Sequence, residues 1–575
     1  MLSSRTITAF ATGLVTAVLL STPSAHTVVV KPTGERAYVT QQAQHVIVPG
    51  PNEAGEPTPA KPASAPPARG RTVDDLVGIA SGIDDNRRAQ GDLLDRIVGL
   101  GVHRVRVDFT WNNIEPRKGQ WDWGRYDDFI AAAASKHVDI LGILDYEVAW
   151  ANTAVYPPNG DPQAPPDHFK DFTDYASAVV ERYKGKVKAY EIWNEPNNGS
   201  QFWHSACSHV RGGPCPFTGV DHAPRAVTGV YGDPGLFGAL TVATISTIRG
   251  VKQLGRDVPL LAPGGTVFLW EPINNSGPDF MKAAFAANRQ LGSLSDAVTL
   301  HGYDAYPPSS EPESAGPALG TTNVQLGDKV AQMKATFTAA GTSPGKPVWL
   351  TEIGWPTVGF VDEGKQSRWL IRSIVLAALN GVDLLYIYDM YDGRPSPTSA
   401  VNPEDHFGLV KHDGKPKQAY RAIQLFMQTL GGHHVQSRIP AHDPRNSVYI
   451  AQVVDGSGHQ AWVVWDSIEQ GTGFKWNLPA NTNCSGLLGE PAPFPTANSR
   501  SLRHPSMSWR GEGKLSVRGG GAADGPDVAL CRYHPVESPR WHGHRTGAMQ
   551  WHQCSANGIR RAASRPMRRR RPPPA

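Results

Sequence analysis

Two glutamates 157 positions apart are the residues whose setting in this chain suggests chemistry. Glu195 closes the run Lys188-Ala-Tyr-Glu-Ile-Trp-Asn-Glu-Pro-Asn197, and Glu352 stands in Pro347-Val-Trp-Leu-Thr-Glu-Ile-Gly-Trp355. Cleaving a glycosidic bond requires a proton for a poor leaving oxygen and an electron pair for the anomeric carbon. Two carboxyl groups can divide those tasks, and their separation decides whether the second attacks directly or activates a water. An Asn-Glu-Pro alone is a common turn sequence, so the reading depends on both acids falling at equivalent points of one architecture.

That architecture is legible from residue 76 onward. Short β-prone apolar runs occur at Leu76 to Ala80, Arg104 to Trp111, Asp139 to Tyr146, Lys188 to Glu195, Pro259 to Gly264, Ala297 to Tyr303, Pro347 to Glu352 and Leu384 to Asp389. Helical spacing lies between them, clearest at Phe169, Phe172, Ala176, Val179, Val180 and Tyr183, and less regular at Leu240, Ile245, Ile248, Val251 and Leu254. Eight strand-then-helix units predict an α/β fold, a (β/α)8 barrel whose active site forms at the carboxyl ends of the strands. An open doubly wound sheet is the alternative, and the lack of a Gly-rich phosphate loop after the first strand weighs against it. The long intervals from Glu195 to Pro259 and from Tyr303 to Pro347 are expected as walls over the active face or as surface decoration.

Around the barrel the chain divides by composition. Residues 1–25, with Arg5 before the apolar run Ile7 to Leu20, read as a secretory signal or uncleaved anchor. Residues 26–71 are assigned as a linker on their Pro- and Ala-rich stretch 49–70. The catalytic barrel is expected over 72–431, its last helix within Pro416 to Leu430. Residues 432–535 then alternate apolar and polar in Ser447 to Val454, Gln460 to Asp466 and Gly473 to Leu478, which predicts a small antiparallel β-module. Residues 536–575 hold nine Arg against one Glu, so the formal charge of +4 conceals a remainder near −4, and a basic partner is a question for that tail alone. No nucleic-acid partner is expected.

Five cysteines suggest two local disulfides, Cys207 with Cys215 and Cys484 with Cys531, leaving Cys554 odd in the tail. That pattern fits an exported or envelope-associated protein, with membrane or cell-wall association through the N-terminal segment. No Cys-x-x-Cys spacing points to zinc, and neither metal nor organic cofactor is expected. A monomer is expected.

With both acid motifs on predicted strand ends, the chain resembles the clan A retaining glycoside hydrolases. The likeness is greatest to glycoside hydrolase family 39 and its bacterial endoglycosidase-like members, with the family 5 cellulases further off. The resemblance covers about residues 72 to 430. It implies Glu195 as general acid/base, Glu352 as nucleophile and Asn194 as the contact of the sugar 2-hydroxyl. Arg106 would keep the nucleophile ionised, and His301 and Tyr303 would form a His-x-Tyr pair whose Tyr donates to it. From the residues alone, Arg106 is also readable as a buried partner of Glu191, and His301 as a core histidine. Trp111, Tyr146, Trp150, Trp193, Trp203, Trp270, Trp355 and Tyr388 lie just past strand ends as candidate sugar-stacking rings, with Tyr146 and Trp150 favoured by the resemblance. Strand eight departs from the clan pattern, ending in Tyr388-Asp389 where a Trp is usual. The expected function is exported hydrolysis of a β-linked polysaccharide or oligosaccharide, with transglycosylation at the same site or a non-catalytic carbohydrate-binding barrel as alternatives.

Overall fold

The computed structural model describes residues 71–83, 87–151, 166, 168–198, 233–268, 276–303, 325–359, 361–393, 402–440 and 448–466, with strands at 28–30, 36–38, 474–478, 482–486, 513–517 and 528–533 and the turn 487–488. The chain divides into two units, Met1–Ala65 and Pro66–Ala575. In the first, Val28–Val30 pairs antiparallel with Arg36–Tyr38, so the stretch expected as pure linker contains a short hairpin. Its three consecutive valines are strong strand formers, whereas the Pro-rich part that suggested a linker follows later. The signal segment, the stretch 49–70, the Cys207/Cys215 segment and the basic tail lie outside the described residues.

Eight parallel strands form the body of the second unit: β1 Val77–Ala80, β2 Arg104–Thr110, β3 Asp139–Asp145, β4 Ala189–Ile192, β5 Leu260–Pro263, β6 Val298–His301, β7 Val348–Ile353 and β8 Leu384–Tyr388. Their order, β5-β4-β3-β2-β1-β8-β7-β6, is that of a barrel with one open seam between β5 and β6. Pro263 has no N–H to donate there. The seam is bridged instead by the Asp296 N–H to Leu261 O (2.8 Å), the Thr299 hydroxyl to Pro263 O (2.8 Å) and the His301 N–H to Thr266 O (3.0 Å).

Helices α1 Arg87–Gly99, α2 Gly124–Ser135, α3 Phe169–Arg182, α4 Pro234–Gly250, α5 Gly277–Ala287, α6 Leu326–Ala339, α7 Glu363–Leu379 and α8 Gln418–Leu430 follow the strands in turn. The stripe that predicts α3 buries Phe172, Ala176, Val179 and Val180. The less regular stripe overshoots, because α4 ends at Gly250 and Lys252–Leu254 is a separate 3-10 turn. Asp233 caps α4 through the Leu236 N–H, with Pro234 preset for the first turn; Asp362 caps α7 through the Lys365 N–H. Between the helices and the outer strand faces lies one continuous apolar core. A separate small cluster of Ala80, Leu141, Ala262, Ala297, Trp349 and Tyr386 plugs the barrel interior.

After α8 come β9 His433–Ile439, β10 Val448–Asp455, β11 Gln460–Asp466, β12 Phe474–Leu478, β13 Thr482–Gly486, β14 Gly513–Val517 and β15 Val528–Tyr533. A five-stranded antiparallel sheet has the order β9-β10-β11-β15-β13, and β12 pairs separately with β14. Cys484 and Cys531 are register partners on β13 and β15 and form the expected disulfide. Strands β9, β13, β14 and β15 have weak alternation and escape a reading of the sequence, because cross-strand pairing rather than a hydrophobic period defines them.

The strand ends that carry the acids are closely packed in the backbone. Gly264, just past β5, donates its N–H to Ile192 O, and a Cβ there would stand 1.8 Å from Trp193 O. Replacing Gly264 by Ala forces β4 and β5 apart at the point where the Glu195 turn begins. The expected cost is about 1–3 kcal/mol, read as a lower thermal midpoint in calorimetry; an unchanged midpoint would show that the approach is not limiting.

Candidate active site

The site is assembled around one guanidinium. Arg106, on β2 with its side chain 2% exposed, donates Nε–H to Glu191 Oε2 at 2.6 Å, Nη1–H to Glu352 Oε1 at 2.5 Å and Nη2–H to Asn194 Oδ1 at 2.9 Å. Both readings open for Arg106 in the sequence therefore hold together: it is a buried partner of Glu191 and a partner of Glu352. Glu191 is satisfied further by the Gly265 N–H (3.1 Å) and the Thr351 hydroxyl (2.9 Å) on its other oxygen. Both oxygens of this wholly buried carboxylate are thus hydrogen-bonded, which offsets the cost of taking them out of water.

A bulge puts Glu352 beside Arg106. In a regular strand Thr351 and Glu352 would point to opposite faces, yet both reach the barrel interior, one to Glu191 and the other to Arg106. The β6–β7 register jumps at this point: Leu300 pairs with Leu350, and the next residue, His301, pairs with Glu352. The extra residue in β7 re-aims the acid, as bulges beside functional sites do.

Glu352 Oε2 accepts from the Tyr303 hydroxyl at 2.8 Å, and His301 Nδ1 lies 3.5 Å from the same oxygen. Burial alone would raise this carboxyl. The charges of His301 and Arg106 and the Tyr303 hydroxyl outweigh it, and the Glu352 pKa falls below the ordinary glutamate value.

Glu195 follows β4 on a strained turn. Trp193 and Glu195 both have left-handed backbone, φ 69° and 41°, as does Tyr146 after β3 at φ 61°. Such conformations cost of order 1–3 kcal/mol each for residues with side chains and cluster at functional sites. The turn is held by the Glu195 N–H to Gly265 O (3.1 Å) and the Asn198 N–H to Glu195 O (2.8 Å). The carboxyl contacts His301 Nδ1 at 2.7 Å and accepts from the Asn198 amide at 3.2 Å. Asn194 is oriented from both sides, accepting from Arg106 and donating to the Tyr146 hydroxyl at 3.3 Å.

His301 bridges the two acids from beneath. Burial disfavours its charge, but the field of Glu352 and the hydrogen bond and charge of Glu195 prevail, and its pKa is raised. Gly265 makes room for it, since a Cβ there would stand 2.2 Å from the imidazole Cδ2. Atoms of Glu195, His301 and Glu352 lie within 4.8 Å of one another, a spacing that a metal ion could use. The donor set argues against that use: both Glu352 oxygens already accept from protein donors, one of them a cation at 2.5 Å.

Seven of the ten candidate residues thus meet in one network: Arg106, Tyr146, Asn194, Glu195, His301, Tyr303 and Glu352. Tyr388 joins at its edge, its ring 6.4 Å from Tyr303 and 5.3 Å from Phe407. Trp150 is half-buried, donating to Glu115 O and packing edge-on against Trp111. Trp355 is 2% exposed against Trp369 and offers no open face. Trp111 and Trp193 are fully buried, while Trp203 and Trp270 lie outside the described residues. Thr351, Gly265 and Asn198 were not legible as site residues, since only strand-end acids, cations and aromatics stand out by type.

Fold and site together define a (β/α)8 barrel with two glutamates brought together at the carboxyl ends of its strands. No protein-family model matches the chain. No curated protein matches it either. Among solved structures it is similar to a family 39 glycoside hydrolase from the gut symbiont Bacteroides cellulosilyticus WH2, at 19% identity and TM-score 0.58, covering 81% of each chain. A family 30 endoxylanase from Clostridium papyrosolvens C71 matches at 12% identity and TM-score 0.46, covering 81% of this chain and 97% of that one. The likeness to the family 39 structure is one of fold.

The raised His301 pKa has a direct consequence for stability. Folding strengthens proton binding at His301, so its contribution is complete below the ordinary value of 6.5 and is lost as pH rises through the higher folded value. Urea unfolding at about pH 6 and about pH 9 should show a decline in the native protein that is smaller in His301→Asn. Equal declines in the two proteins would assign the pH dependence to other groups.

Proposed function

We propose that the chain is an exported retaining glycoside hydrolase that cleaves O-glycosidic bonds of a β-linked polysaccharide or oligosaccharide by double displacement. The observation that carries this reading is the juxtaposition of Glu195 and Glu352, with one oxygen of each within 4.8 Å of the other and with different hydrogen-bonding partners. Retaining enzymes hold their carboxyl groups about 5–5.5 Å apart, whereas inverting ones need about 6.5–9.5 Å for the intervening water. The fold-level likeness to a glycoside hydrolase supports the same reading without fixing the sugar.

Glu352, kept ionised by Arg106 and Tyr303, attacks the anomeric carbon as Glu195 gives its proton to the departing oxygen. The first bond breaks as the ester to Glu352 forms. Glu195, now a carboxylate, takes a proton from water, whose oxygen displaces Glu352 from the opposite face. Two inversions leave the anomeric configuration unchanged. Asn194, fixed by Arg106 and Tyr146, meets the sugar 2-hydroxyl, and its orientation is set before substrate arrives. Discharge of Glu352 in the intermediate removes a negative neighbour from Glu195, which favours its role as base in the second step.

Incubation with a polysaccharide panel, followed by product identification and proton NMR of the newly released anomer, tests the reading. Retained configuration is expected. Glu352→Ala should abolish turnover, and Glu195→Ala should slow glycosides with poor leaving groups by about 10²–10⁴-fold while sparing activated aryl glycosides in the first step. Unchanged turnover in both variants would overturn the assignment. Binding of glycans without cleavage would favour a carbohydrate-binding barrel, and transfer to a long acceptor in place of water would favour transglycosylation.

A further inference from the structure

Tyr303 and Tyr388 belong to one edge-to-face cluster with Phe407. The centroids lie 5.8 Å apart for Tyr303–Phe407, 5.3 Å for Tyr388–Phe407 and 6.4 Å for Tyr303–Tyr388. The Tyr303 hydroxyl ends on Glu352 at 2.8 Å. The Tyr388 hydroxyl ends at 3.2 Å on a third acid, Glu404, which lies in the short 3-10 turn Pro403–Asp405 between β8 and α8. The cluster therefore carries two carboxylates, one at the proposed reacting centre and one at its rim.

Glu404 differs from the other acids of the site in what surrounds it. Glu191 and Glu352 are buried against Arg106, and Glu195 is buried against His301. Glu404 is exposed, and among the described residues no cation pairs with it. Partial burial raises its pKa, Tyr388 lowers it, and the charges of Glu352 and Glu195 raise it again. The influence of both catalytic candidates places this carboxylate within their electrostatic reach. Arg106 directs one N–H of each of its three nitrogens to Glu191, Glu352 and Asn194, and its side chain is 2% exposed, so it is committed to these buried partners.

On the glycosidase reading above, we propose that Glu404 is a specificity-determining residue that accepts hydrogen bonds from hydroxyls of an uncharged sugar beside the cleaved bond and excludes uronic acids from that position. A carboxylate held at one oxygen by a tyrosine hydroxyl retains acceptor capacity for sugar hydroxyls. A uronate would bring a like charge close to Glu404 and the ionised Glu352, with no cation paired to Glu404 among the described residues. Specificity then arises from repulsion of the wrong sugar as much as from attraction of the right one.

The test compares matched neutral and uronate ligands. For aryl β-glycosides, kcat/KM should favour each neutral sugar over its uronate by about a hundredfold or more, and Glu404→Gln should shrink that ratio by about tenfold. Glutamine keeps the shape and one acceptor oxygen but removes the charge. The same discrimination is read without turnover by titrating Glu352→Gln, and the Glu352→Gln/Glu404→Gln double variant, with neutral and uronic oligosaccharides while following tryptophan fluorescence. A ratio unchanged by Glu404→Gln, or a uronate preferred by the unmodified protein, overturns the assignment of Glu404. Selective binding that depends on Glu404, with no glycan cleaved, supports the rim assignment while defeating the hydrolase reading. Binding of none of the oligosaccharides overturns both.

Discussion

The site depends on a buried guanidinium with three acceptors. Arg106 joins β2 to β4 through Glu191, to the turn after β4 through Asn194, and to β7 through Glu352. The planar fork sets all three directions at once, which a lysine ammonium on a flexible stem would not do. A cation this deep in a protein is tolerable because two carboxylates pair with it and each of its nitrogens donates to a partner, and removing one carboxylate would leave charge uncompensated. The stability of the barrel's active end and the ionisation of Glu352 are therefore one physical arrangement.

Around that arrangement the backbone is shaped for side-chain aim at some cost to itself. An extra residue in β7 lets Thr351 and Glu352 share a face, and left-handed turns at Trp193 and Glu195 bring the other acid close to Glu352. Gly264 and Gly265 allow β5 close enough for its backbone to receive that turn and for His301 to sit beneath it. None of these groups touches a sugar in the proposed reaction, yet they set the separation of the acids that divides direct attack from water activation.

The electrostatics then differentiate two chemically identical side chains. Glu352 faces a fixed cation and a phenol, whereas Glu195 faces an imidazole and an amide. The lowered pKa of Glu352 follows from those neighbours rather than from residue type. Aromatic packing extends the same logic outward, since Tyr303 and Tyr388 each join the hydrophobic wall to a carboxylate.

Strand-period runs in sequence determined the eight barrel strands nearly to the residue, and residue type at the strand ends singled out Glu195, Glu352, Arg106, His301 and Tyr303, because a parallel barrel must present its strand ends on one face. Composition likewise marked the change from barrel to antiparallel sheet and the Cys484–Cys531 pair. Tertiary structure alone decided which way each side chain points. Trp355 follows the second acid motif closely yet lies in the core, and Trp150 is engaged with Trp111 and Glu115. Glu404, 52 positions beyond Glu352 in an unpatterned loop, returns to accept a hydrogen bond from Tyr388. The reason is geometric: periodicity reports which face of a regular element is buried, whereas a one-residue bulge, a left-handed turn or a loop return changes that face without altering the local pattern from which a sequence is read.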